Sequence, residues 1–169
     1  MKLVWTKSHL PLSLVIRGIT GEPCSHFAFV FDSGPKGLMF ESNLLGTHPV
    51  FFASALKGFG AMTIVHEKDI TIPLDLEDSI WDYIVENYDD KPYDYSGAVY
   101  TGLMVLRNRI FKTPIPAVNK WADTGTYYCD ELYNILTKFI PSLPQVQVQG
   151  TCVTPESLWQ RMKDMEIKT

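Results

Sequence analysis

Three residues scattered along the 169-residue chain, Cys129, His26 and Glu41, carry the groups of a thiol nucleophile system. An imidazole that takes the thiol proton yields a thiolate–imidazolium pair. A carboxylate behind the imidazole fixes its tautomer and stabilises the imidazolium. Such a thiolate attacks an acyl carbon, and a backbone N–H at a helix start is placed to stabilise the developing oxyanion. Many chains contain these three residue types, so the elements that position them decide the matter.

Cys129 lies in Thr-Gly-Thr-Tyr-Tyr-Cys-Asp-Glu-Leu, residues 124–132. Leu132, Ile135, Leu136, Phe139 and Ile140 then recur at helical spacing, and Pro141 ends the run. Either Thr124 or Thr126 is expected to cap this helix through its hydroxyl. Cys129 shares the inward face with Leu132 and Leu136, near the positive end of the helix dipole, which favours thiolate. Asp130 and Glu131 push the other way by like charge. A small buried hydrophobe is the competing role for a cysteine at this place.

Ser25 to Phe31 reads as a strand, residues 32–37 as a turn and Leu38 to Glu41 as the returning strand. Period two puts His26, Ala28 and Val30 on one face and Phe27, Phe29 and Phe31 on the other. If Phe31 pairs with Leu38, Ala28 pairs with Glu41, and Glu41 becomes a diagonal same-face neighbour of His26, about 7–8 Å away by backbone. A register slipped by two residues makes them direct partners. Either register brings carboxylate to imidazole; a solvated face with an incidental His and Glu is the competing reading.

Residues 2–6 alternate as a short strand. Leu10 to Ile19 suits a helix opened by Pro11 or a strand through Leu14-Val15-Ile16. Asn43 to Gly60 is expected to be an irregular connection holding a helical turn over Phe51–Leu56. Ala61 to Glu67 is a strand candidate, closed by the turn Glu67-Lys68-Asp69. Asp75 or Ser79 begins a helix with Ile80, Ile84, Val85 and Tyr88 on its apolar stripe. Ser96 is expected to cap another, with Val99, Leu103, Leu106 and Ile110 inward. Gln145 to Gln149 alternates as a half-exposed strand. Thr154 then caps a closing helix with Pro155 at its first position and Leu158, Trp159 and Met162 following. One α+β domain over residues 1–169 is the expectation.

A net charge of −4 with no basic run argues against nucleic acid as the main partner. Three cysteines, an odd number in a chain that needs no staples, fit a reducing compartment. The first residues lack an apolar signal region, and no apolar run approaches the roughly 20 residues that span a bilayer. A cytoplasmic protein with no signal peptide or transmembrane segment is expected.

Five segments in order resemble the circularly permuted papain-like amidases, the YiiX-type branch of the NlpC superfamily. Leu14 to Val30, containing Ser25-His26, resembles that family's histidine motif. Phe40-Glu41-Ser42 resembles the strand carrying its acid, and Lys91-Pro92-Tyr93-Asp94-Tyr95 a Tyr-Asp motif before a helix. Tyr127-Tyr128-Cys129-Asp130-Glu131-Leu132 resembles the nucleophile motif, and Thr154-Pro155-Glu156-Ser157-Leu158 the closing element. A cysteine late in the chain is the mark of the permuted branch. The resemblance implies a small antiparallel sheet or half-barrel packed on the cysteine helix. It further implies hydrolysis or transfer at an amide or ester carbonyl, with Cys129 as nucleophile, His26 as base and acid, and Glu41 as orienter. Two residues depart from the pattern: Asp130 stands where a serine is usual, and Ser42-Asn43 follow Glu41 where a small apolar residue is more common.

The implied substrate is a peptide amide, such as a cell-wall stem peptide. A lipid or other acyl substrate, or acyl transfer, is the nearest alternative; an apolar groove leading to Cys129 would favour it, and a polar cleft would sink it. A binding module with an idle triad belongs to a different class, and so does a metal-binding protein. Tyr93, Tyr127 and Tyr128 are pocket candidates. Cys24, His26, Cys129 and Cys152 match no usual zinc spacing, so neither a metal nor a cofactor is expected. Cys24 is open between packing and acting as a resolving thiol for Cys129, while Cys152 is assigned to structure. His9, His48 and His66 are given surface or capping roles.

Overall fold

The alternation His26-Phe27-Ala28-Phe29-Val30 commits this stretch to a strand with two unlike faces. In the computed structural model it is the middle strand of the sheet. Strands β1 (Lys2–Lys7), β2 (His26–Val30), β3 (Leu38–Asn43), β4 (Gly46–Phe51) and β5 (Thr63–Asp69) lie in the order β4-β3-β2-β1-β5. Every neighbouring pair is antiparallel. The helices are α1 (Pro11–Thr20), α2 (Phe52–Ala55), α3 (Leu74–Tyr88), α4 (Tyr95–Phe111), α5 (Tyr133–Phe139) and α6 (Pro155–Met162). A 3-10 turn, Cys129–Leu132, leads into α5. The structure describes residues 1–32, 37–57, 60–123, 125–127, 129–144 and 152–165, without the side chain of Asp130. The strand expected at 145–149 lies outside them.

The two faces of β2 bury different partners. Phe27 and Phe29 join Leu3, Trp5 and Phe40 in the main core, covered by Ile80 and Ile84 of α3, Leu136 of α5 and Leu158 of α6. Each large apolar side chain buried there contributes about 1.5–3 kcal/mol. Trp5 meets Phe27 and Trp159 at centroid distances of 5.1 Å each, so α6 is keyed to the sheet through aromatic contacts. Ala28 and Val30 face the other way with Val4 and Met39, under Phe52 and Ala55 of α2.

Several expectations need correction. The connection after Asn43 is not irregular at its start, where Gly46–Phe51 form β4; the helical turn expected over Phe51–Leu56 is present as α2. Pro49 reads as a breaker, yet β4 is an edge strand, where a missing N–H removes no interior ladder bond. The β3–β4 turn closes on Gly46 at φ +107°, where an added Cβ would stand 2.4 Å from the Lys91 carbonyl oxygen. Glu67-Lys68-Asp69 continues β5 and does not turn. The ambiguous segment from Leu10 is helix α1, with proline in its first turn.

Helix α4 departs furthest from its expected pattern. Gly97, Tyr100, Thr101 and Val105 are its buried residues, whereas Val99, Leu103 and Ile110 are exposed. The apolar residues expected inward form, in part, the wall of a groove facing α1. Its cap is Asp94, which accepts from Gly97 N at 2.7 Å; Ser96 donates to the same carboxylate at 3.0 Å.

Replacing Asp94 with alanine is therefore expected to lower stability by about 1–2 kcal/mol in chemical denaturation. Ser96→Ala should cost less, within about 1 kcal/mol. Gly97→Ala should destabilise as well, because its Cβ would stand 2.1 Å from Asp94 Oδ2.

Candidate active site

The β2–β3 hairpin has the first of the two expected registers. Ala28 pairs with Glu41, and Phe31 N donates to Leu38 O at 2.9 Å. Glu41 is therefore the diagonal neighbour of His26, and side-chain reach closes the distance: His26 Nε2 lies 2.6 Å from Glu41 Oε2. Glu41 is 3% exposed, so its carboxylate depends on protein groups to replace water. Asn43 Nδ2 donates to its other oxygen at 2.9 Å, and His48 Nε2 stands 3.8 Å from that oxygen. Burial alone would raise the Glu41 carboxyl. The hydrogen bond and charge of His26, with His48 and Asn43, outweigh that and hold it below the ordinary glutamate range.

This pairing also sets the tautomer. An ionised carboxylate can only accept, so His26 Nε2 carries the proton donated to Glu41, and Nδ1 is left as the basic nitrogen. Just before His26, Ser25 N donates to Thr6 O at 2.9 Å, and the Ser25 and Ser13 hydroxyls are 2.6 Å apart. These contacts anchor the start of β2 to β1 and α1.

Cys129 is the first residue of the 3-10 turn and is 5% exposed. That turn packs on β2 and β3, the strands that carry His26 and Glu41. The chain entering it is tied on two sides. Ser42 Oγ donates to Tyr127 O, Tyr127 N donates to Pro92 O at 3.1 Å, and Asp94 N donates to Tyr127 O at 3.3 Å. Ser42, an apparent departure beside Glu41, thus fastens the acid's strand to the backbone two residues before the thiol. Thr126 does not cap the helix, because its hydroxyl donates to Asp123 O at 3.1 Å; the N-cap of α5 is Leu132. Thr124, Tyr128 and the side chain of Asp130 lie outside the described residues.

The thiol and the His–Glu pair are held by different parts of the sheet. By alternation His26 and Glu41 project with Ala28, whereas Cys129 packs in the main core cluster that contains Phe27 and Phe29. The turn bearing Cys129 nevertheless packs on both strands, and the cavity it lines reaches the residue before His26 without including His26 or Glu41. Cys129 lines a cavity of about 190 Å³ together with Ser25, the residue before His26. The cavity runs between α1 and α4, and Leu12, Val15, Ile16, Ile19, Val99 and Leu103 give it largely aliphatic walls. Tyr93 is in its lining, as expected. Tyr127 is not among those residues; its ring packs edge-on against Tyr88 at 5.2 Å.

Other side chains also found partners that sequence spacing did not disclose. His48 is the direct cross-strand partner of Glu41, a relation visible only once β4 is recognised as a strand. Among the described residues, Cys24 groups with His66 and Glu156 as possible metal ligands. Cys152 is half-buried, and burial pushes its thiol up despite a hydrogen bond with Thr101.

Glu41→Gln is expected to cost roughly 1.5–3 kcal/mol at neutral pH, the worth of a hydrogen bond to a charged group. Because folding depresses the Glu41 carboxyl, its stabilisation is complete above the unfolded value near ~4.3 and is lost as pH falls through the depressed folded value. Denaturation curves of the two proteins should therefore converge towards acid. A constant gap down to the acid limit would contradict the pairing. Compared with known proteins, the chain matches no family model, no curated protein and no solved structure.

Proposed function

We propose that this protein is a cysteine-dependent acyl hydrolase or acyltransferase in which Cys129 is the nucleophile, His26 the base and acid, and Glu41 the orienter. The observation that carries the reading is the aliphatic cavity between α1 and α4 with Cys129 in its lining. An apolar chain, and not a peptide backbone, is what such walls desolvate favourably. The resemblance to permuted papain-like amidases supports the same chemistry and the order of the three residues along the chain.

In this reaction His26 Nδ1 takes the Cys129 proton, and the thiolate attacks the carbonyl carbon of an ester or amide. A C–S bond forms as the carbonyl electrons move to oxygen. Collapse of that oxyanion expels the alcohol or amine, which leaves with the proton held by His26. Water, or an acceptor hydroxyl or amine, then gives its proton to His26 and attacks the thioester, and Cys129 is regenerated. Glu41 keeps Nε2 protonated throughout, so that Nδ1 is the nitrogen that cycles.

Site-resolved alkylation with limiting iodoacetamide at about pH 6, well below the ordinary thiol value, tests the activated pair first. Cys129 should label faster than Cys24 and Cys152, and His26→Ala should abolish the advantage. Slow labelling of Cys129 in both proteins would leave an apolar-ligand module with an idle triad.

Substrate class is tested with esters of increasing acyl length. His26→Ala should lower turnover by about 10²–10⁴-fold. Gly102 lies in the cavity wall with Ile19 Cγ2 3.9 Å from an added Cβ, so a larger side chain there projects into the space. Gly102→Leu should depress kcat/KM for long acyl chains by about tenfold more than for acetyl esters. Faster cleavage of peptide amides than of any acyl ester would return the reading to a peptidase.

A further inference from the structure

Away from Cys129, three side chains from three elements converge under α6. Cys24 belongs to the segment leading into β2, His66 to β5 and Glu156 to the first turn of α6. Their sulfur, imidazole nitrogen and carboxylate oxygen all lie within 4.8 Å of one another. Glu156 Oε2 is 3.4 Å from Cys24 Sγ and 3.1 Å from His66 Nε2. With zinc bonds near 2.0–2.3 Å, ligand atoms at adjacent corners of a tetrahedron stand about 3.3–3.6 Å apart. Two edges of such a tetrahedron are therefore already formed to within a few tenths of an ångström. The third, sulfur to nitrogen, is at most 4.8 Å and so closes by about 1.3 Å at most.

We propose that Cys24, His66 and Glu156 form a site for a zinc-class divalent cation that fastens α6 to the sheet. Thiolate, imidazole and carboxylate are the donor types such an ion selects. Cys24 is wholly buried, whereas His66 and Glu156 are 24% and 16% exposed. The cluster therefore opens to solvent on one side, which gives the ion a path and leaves a fourth position to water. The His66 ring is held in place: it stacks on Trp159 at 4.5 Å with 7° between the planes.

The local charge points the same way. Glu22 accepts from Thr154 Oγ1 at 2.7 Å, and its second oxygen is buried without a hydrogen-bond partner among the described residues. Glu156 stands close enough for its charge to act on Glu22. Among the described residues neither carboxylate has a lysine or arginine ion partner. A dication would supply the missing positive charge.

Without an ion, the Cys24 thiol and His66 Nε2–H donate to Glu156. On loading, the thiol proton leaves to solvent and the imidazole proton resides on Nδ1, which frees sulfur and Nε2 as donors. This site is independent of the chemistry assigned to Cys129.

The test is titration of the chelator-stripped, full-length protein with zinc, followed by calorimetry and thermal melting, and then with cobalt(II), followed by absorption. One ion per chain, a raised Tm and a thiolate-to-cobalt charge-transfer band are expected. Cys24→Ser should remove the band. His66→Gln and Glu156→Gln, at partly exposed positions, should each weaken binding by at least about tenfold, and they carry the test should Cys24→Ser fail to fold. Cys129→Ser should leave stoichiometry and spectrum unchanged. No binding by the native chain, or binding that survives both Cys24→Ser and His66→Gln, would overturn the proposal.

Discussion

Glu41 is a carboxylate almost wholly removed from water, and the centre of the molecule is arranged to answer it. Leaving such a charge unpaired would cost several kcal/mol, comparable with the whole stability of an ordinary domain. Three strands contribute to the answer: His26 from β2, Asn43 from β3 itself and His48 from β4. The registers observed on both sides of β3 deliver all three. A shift by one residue in either pairing would turn Glu41 towards the main core or remove its partners. The charge therefore specifies the alignment of the strands while the phenylalanines supply most of the energy.

From that fixed point the groove is positioned outward. Ser42 holds Tyr127, and Tyr127 in turn holds Pro92 and Asp94, so the capped start of α4 and the turn bearing Cys129 are set from one strand. The far end of the groove is closed differently. Arg109 of α4 donates to the carbonyls of Gly18 and Ile19 at 3.0 and 3.2 Å, which serves the C-terminal turn of α1 and binds the two walls together. Gly21 at φ +73° allows this, since an added Cβ would stand 2.8 Å from the guanidinium. Between these two ends the facing residues are aliphatic, and the space between α1 and α4 stays open.

Local rules in the sequence carried far in some places. The hairpin register, the pairing of His26 with Glu41 and the cap at Thr154 all follow from period two and from hydroxyl chemistry. Strand β4 did not follow, because proline and glycine signals dominate a stretch whose pairing is tertiary and whose place is an edge. The buried side of α4 is not legible in its periodicity, because Val99 and Leu103 line a groove and the pattern cannot tell a groove wall from a core. His66 and Glu156 are 90 positions apart and meet only when α6 docks on β5. No spacing rule reaches that far.

The outer edge of β4 has a further consequence. Thr47 N donates to Lys91 O at 2.9 Å, and Thr47 O accepts from Asp90 N at 2.8 Å, so the chain after α3 already occupies that edge. Pro49 follows two residues on and offers no donor. At the opposite side β5 presents Glu67, Lys68 and Asp69 in succession, charges of the kind that keep an open strand from recruiting another. An extended polypeptide seeking a ladder of main-chain hydrogen bonds thus finds one border taken and the other guarded by charge. Among the described residues, both edges of the sheet thus disfavour strand addition.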